Sequence, residues 1–88
     1  MKLKPGFIFH DIEDEHLVVA TGEASRHFNG LIRNNATADF IYRLLEQDTT
    51  EEAIVDALYQ HYQAPREQIS QDVHALLEQM RAAGILDE

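Results

Sequence analysis

The apolar residues of this chain change period once, close to Asn35. Before it they come in short β-branched and aromatic runs; after it they fall three and four residues apart. A single switch, strands first and helices afterwards, in so short a chain implies a small antiparallel sheet packed against a bundle of helices. Residues 7–12 and 16–20 predict two strands of a hairpin, turned by the polar Glu13-Asp14-Glu15. A third strand is predicted over residues 28–33, reached through residues 22–27, with Gly30 marking a bulge or a close backbone approach.

Beyond the switch, Phe40, Ile41, Leu44 and Leu45 share one helical face, with Asn35 or Thr37 as the N-cap and an end near Gln47. Thr49-Thr50-Glu51-Glu52 has the form of a capping box, in which the Thr49 hydroxyl accepts the Glu52 amide and the Glu52 carboxylate reaches back to the Thr49 amide. The helix it starts turns Ala53, Ile54, Ala57, Leu58 and Tyr62 inward. Pro65 suits the first turn of a third helix carrying Ile69, Val73, Leu76, Leu77 and Met80 as its apolar stripe, and Gly84 is placed to cap its end.

The chain has 88 residues, enough for one domain over residues 1–88. A domain of that size buries only roughly 60–65% of the surface its unfolded chain exposes. A deep enzymatic cleft is not expected, and no nucleophile or acid–base constellation stands out. Sixteen acidic against seven basic residues give a formal charge of −9. That balance opposes binding to nucleic acid, which depends on Lys and Arg displacing counterions. Without cysteine there is neither a disulfide framework nor a thiolate metal site, as suits a reducing cytosol. No stretch approaches the roughly 20 apolar residues of a membrane span, so a soluble, cytoplasmic protein is expected. The five histidines, His10, His16, His27, His61 and His74, have no ligand spacing. Solvated histidines are the expectation, with no metal and no cofactor.

A three-stranded sheet has two edges, each with a row of unpaired backbone donors and acceptors. That open edge is the physical opening for function, either to a peptide or to a second copy in a homodimer.

Several short segments, in their order and spacing, resemble the PqqD family, the small RiPP recognition elements of ribosomal peptide modification. They are Lys4-Pro5-Gly6-Phe7, Thr21-Gly22-Glu23-Ala24-Ser25, Phe28-Asn29-Gly30, Asn35, Thr37, Phe40-Ile41-Tyr42-Arg43-Leu44-Leu45, Thr49-Thr50-Glu51-Glu52, Asp72-Val73 and Ala83-Gly84-Ile85-Leu86. The resemblance implies a winged-helix-like α+β fold, a three-stranded antiparallel sheet followed by a three-helix bundle. It also implies a non-catalytic adaptor. A precursor's leader peptide would add as a strand along the third strand, against the third helix, and be presented to a modifying enzyme such as a radical SAM maturase. The matching residues are Gly30, Leu31, Ile32, Arg33 and Asn34, with Ile69, Val73, Leu76, Leu77 and Met80 across the groove. Asn34 and Gln47 depart from the family pattern, which usually has an apolar residue and often has glycine there.

Two flanks border the apolar stripe: Arg66, Ser70, Leu77 and Arg81 on one side, Gln68, Asp72, Ala75 and Gln79 on the other. The Arg66 flank is favoured for the groove, because with Arg33 it would gather cations beside an acidic leader. The plain alternative is that these arginines are solvated on a rim, where ion pairs contribute only ~0–1 kcal/mol. A winged-helix DNA-binding or regulatory protein is the competing function. It is disfavoured because the third helix sets only Arg66 and Arg81 against Asp72 and Glu78.

Overall fold

The computed structural model describes residues 1–22, 24–27 and 30–88. A two-residue strand β1 (Lys2–Leu3) precedes the hairpin of β2 (Phe7–Ile12) and β3 (Glu15–Ala20). A short α1 (Ala24–His27) leads to β4 (Leu31–Asn34); then come α2 (Ala36–Leu44), α3 (Glu51–His61), α4 (Arg66–Ala82) and β5 (Leu86–Asp87). Strands β2, β3 and β4 form an antiparallel sheet in that order, while β1 and β5 pair as a separate antiparallel ribbon. The α+β plan expected from the period switch is the one observed, with α4 as the third long helix.

The sheet shows the two-residue alternation of its sequence. Phe9, Val18 and Ile32 stand in one row across the register and face the core, and Val18 is fully buried. Ile8, Val19 and Leu31 form the next row on the opposite face, where Ile8 and Leu31 are exposed. Gly30 precedes β4 rather than lying inside a strand, and the predicted start at Phe28 and Asn29 lies outside the described residues. Its φ of 138° is glycine's territory, yet a Cβ there would meet nothing within 4 Å. Backbone direction into β4, not a bulge or a close approach, is what requires glycine.

Helix α2 starts on Asn35, whose side chain accepts the Ala38 amide at 2.8 Å. That decides between the two candidate caps. Helix α3 starts one residue later than the capping box suggests, with Thr50 Oγ1 accepting the Ala53 amide at 3.1 Å. The reason is long-range: the Thr49 amide already donates to the Met1 carbonyl at 2.8 Å, so it is taken before Glu52 could reach it. Along α3, Ile54, Val55 and Leu58 are buried whereas Ala53, expected inward, is exposed. Helix α4 follows Pro65 at its N-cap and ends on Gly84, at φ 73°. The Gly84 amide donates to Arg81 at 3.0 Å and the Ile85 amide to Met80 at 3.2 Å, the paired closure that glycine after a helix permits.

Ile41, Tyr42 and Leu45 of α2 and its C-cap, Ile54 and Leu58 of α3, and Val73, Leu77 and Met80 of α4 meet Val18 of the sheet in one core. The ribbon closes it from the far end, contributing Leu3 and Leu86. Leu3 also donates its amide to Leu45 at 2.8 Å, tying the first strand to the end of α2.

Candidate peptide-binding site

Strand β4 is an outer strand of the sheet: β3 pairs with one side of it, and among the described residues no strand pairs with the other. Its four residues alternate, with Leu31 and Arg33 outward and exposed, Ile32 and Asn34 turned inward. Its free side therefore offers main-chain groups in extended geometry.

Asn35, immediately after β4, is the first residue of a groove between α2 and α4. Asn35, Thr37, Ala38 and Ile41 form one wall; Asp72, Ala75, Leu76 and Gln79 form the other. Thr37, Ile41 and Asp72 also border a half-open apolar pocket of about 180 Å³, lined further by Leu58, Tyr62, Ala64, Ile69 and Val73. Tyr62 is braced by two rings, His61 and Phe40. His61 meets it edge-on at 4.7 Å between centroids, and Phe40 stacks on His61 at 4.7 Å.

The structure sorts the residues named from the sequence into three groups. Leu31, Ile32, Arg33 and Asn34 make up the edge strand, with Gly30 just before it; Leu76 lines the groove, and Ile69 and Val73 line the apolar pocket. Leu77 and Met80 are buried in the core, at 0% and 2% exposure, and line neither the groove nor the pocket. Arg66 lies elsewhere. It is ion-paired with Asp56 of α3 and stands 5.6 Å from the Tyr59 ring centroid, bordering a polar hollow formed by Glu51, Glu52, Val55 and Ser70. Its hydrogen bond to Asp56 pushes its pKa up. Arg81, favoured with it, bonds Glu88 at 3.0 Å and also pairs with Glu78, and the Glu88 contact leads in raising its pKa. The groove that begins next to β4 runs along the flank of Asp72, Ala75 and Gln79, whereas the arginine flank favoured from the sequence borders the polar hollow beside α3. The helical wheel shows both flanks equally; only the packing of α3 sets Arg66 beside Asp56.

The α2 wall was missed because nothing in its sequence marks it as a surface. The one available signal was Asn35, whose capping role places it between strand and helix. Asn34 faces inward opposite His16, and its buried Nδ2 has no hydrogen-bond partner among the described residues.

One cluster was invisible to linear spacing. Asp11, His16 and Asp39, from β2, β3 and α2, bring ligand-type atoms within 4.8 Å of one another. Arg43 binds both carboxylates, donating to Asp39 Oδ2 at 2.9 Å and Asp11 Oδ2 at 3.1 Å. His16 Nδ1 lies 3.2 Å from Asp11 Oδ1. With its carboxylates already bridged by a guanidinium, the cluster reads as an ion-pair clamp between the hairpin and α2.

The family sequence profile described as Coenzyme PQQ synthesis protein D (PqqD) matches residues 15–86. This chain belongs to the PqqD family. No curated protein matches it significantly. Among solved structures, one described as "TbiB1 in Complex with the TbiA(beta) Leader Peptide" is 23% identical, with a TM-score of 0.78, over 99% of this chain and 95% of that one. Another, "Lasso peptide synthetase B1 complexed with the leader peptide", is 17% identical, with a TM-score of 0.72, over 96% and 93% of the two chains. Both likenesses are of fold. No helix among the described residues is long and apolar enough to cross a membrane.

Proposed function

We propose that this protein is a leader-peptide-binding adaptor: it takes a segment of a ribosomally made precursor as an added strand along β4 and presents it to a modifying enzyme, such as a radical SAM maturase. The observation that carries this reading is the junction of an open edge strand with a groove. An extended peptide on β4 would gain backbone hydrogen bonds, which tolerate many sequences, while the adjoining groove offers pockets for its side chains. Family membership supports the reading, as does the shared fold with two proteins described as complexes with leader peptides. Recognition of this kind needs no catalytic group, metal or cofactor. The groove residues at work would be Asn35, Thr37, Asp72, Ala75, Leu76 and Gln79.

Proline substitution in β4 tests the reading, because proline deletes one backbone donor without changing charge. Amides alternate in direction along a strand, so of Leu31→Pro and Ile32→Pro one removes a donor to β3 and the other a donor on the free side. The free-side variant is expected to stay folded and to bind the cognate precursor peptide at least about ten-fold more weakly in a fluorescence anisotropy titration, as losing roughly 1.5 kcal/mol would produce. The other should lower the melting temperature. Two folded variants that bind as tightly as the parent would place the binding surface elsewhere.

A further inference from the structure

We propose that Asp72 selects a peptide carrying a basic residue, Lys or Arg, close to a large apolar side chain that fills the pocket Asp72 borders. This inference rests on the leader-binding reading and adds the chemical class of the segment recognised.

The geometry supplies the two halves of that signature side by side. The pocket is lined almost wholly by apolar side chains. An enclosed cavity of about 150 Å³ holds a molecule the size of benzene, so this half-open pocket of about 180 Å³ has room for one Leu-, Ile- or Phe-sized side chain. Asp72 lines both the pocket and the groove. Among the described residues it is the only acidic or basic side chain of either lining. Gln68, one turn earlier on α4, donates to its Oδ1 at 2.9 Å and holds the carboxylate in place. Among the described residues Asp72 has no ion-pair partner, so Oδ2 remains for a ligand.

Four of the five arginines point the same way. Arg33 lies 3.9 Å from Glu15; Arg43 bridges Asp11 and Asp39; Arg66 pairs with Asp56; Arg81 pairs with Glu78 and Glu88. An acidic peptide would have to compete with those carboxylates for each of these arginines, and would approach a chain of formal charge −9. A basic peptide is drawn by that field and meets a carboxylate with no cation of its own. This reverses the expectation of an acidic leader that the arginine flank suggested.

The test is a selection of random displayed peptides on the parent protein, Asp72→Asn and Asp72→Lys, each variant first checked for an unchanged melting temperature. Asp72 is exposed, so its replacement should leave the core intact. Peptides enriched on the parent should carry Lys or Arg at a constant offset from a large apolar residue. That preference should vanish on Asp72→Asn and turn to Asp or Glu on Asp72→Lys. A resynthesised basic peptide should lose about two- to ten-fold in affinity on Asp72→Asn, the range of a partly exposed charge pair. The same consensus on all three proteins, or an acidic one on the parent, overturns the proposal. If peptides without a basic preference still need an intact β4 edge, the adaptor reading stands and the role of Asp72 falls. Recovery of no peptide that depends on β4 removes both.

Discussion

The two flanks of α4 carry similar raw material and meet opposite fates. On one, Arg66 and Arg81 find carboxylates of α3, of α4 itself and of the chain's end, and Leu77 disappears into the core. On the other, Asp72, Ala75 and Gln79 face α2 across an open groove that begins at the end of β4. A charged side chain on an amphipathic helix therefore does not mark a binding face by itself. The proposed binding face is instead the flank whose groove begins at β4, an edge strand left unpaired on one side among the described residues.

The sharpest break of this comparison comes from truncating adjacent leucines. Leu77→Ala removes a side chain with 0% exposure and should cost about 2–5 kcal/mol, read as a lower denaturation midpoint. Leu76→Ala, on the groove wall, should cost roughly 1 kcal/mol in stability while weakening peptide binding. Equal losses of stability with unchanged binding would mean that Leu76 belongs to the core and not to the wall.

Arg66→Ala is a smaller perturbation with the opposite logic. Its pair with Asp56 is exposed on both sides and screened by solvent, so the melting temperature should barely change. Peptide affinity should stay within about two-fold, since the pair lies away from the groove that Asp72 lines. A loss of binding as large as that of Asp72→Asn would move the groove to the arginine side.

The smallest effect expected is a pH dependence at the end of α4. The hydrogen bond from Arg81 holds the Glu88 carboxyl below its ordinary value. Its folded-state pKa is thus lower than the unfolded one. The stabilisation is fully present above the unfolded carboxylate pKa and is lost as pH falls through the lowered value. Thermal melts across the acid range should show this slope in the parent and a shallower one in Arg81→Gln. Identical slopes would show that the pair contributes nothing measurable.

Much of the architecture was legible from local chemistry. The switch of period at Asn35, the hairpin around residues 13–15 and the glycine cap at Gly84 are all short-range signals, and the fold uses each of them. What stayed hidden depends on residues far apart in sequence. The β1–β5 ribbon consists of two-residue strands from the two ends of the chain, too short for any periodic signal. The cap of α3 moved from Thr49 to Thr50 because the Met1 carbonyl occupies the Thr49 amide. The edge strand was readable at Leu31 to Asn34, whereas the groove took its second wall from Thr37, Ala38 and Ile41, whose lining role exists only once α2 crosses α4. The clamp of Asp11, His16, Asp39 and Arg43 likewise exists only in three dimensions.

The account's central claim is that a peptide binds by extending the sheet at β4 over the Asp72 flank of α4. Amide hydrogen exchange followed by NMR, with and without the precursor peptide, tests it most directly. The account predicts new protection at alternate amides of residues 31–34 and shifted resonances at Asn35, Asp72, Ala75 and Gln79, with Arg66 and Ser70 unchanged. Unaltered exchange along β4, with shifts centred on Arg66 and Ser70, would contradict it.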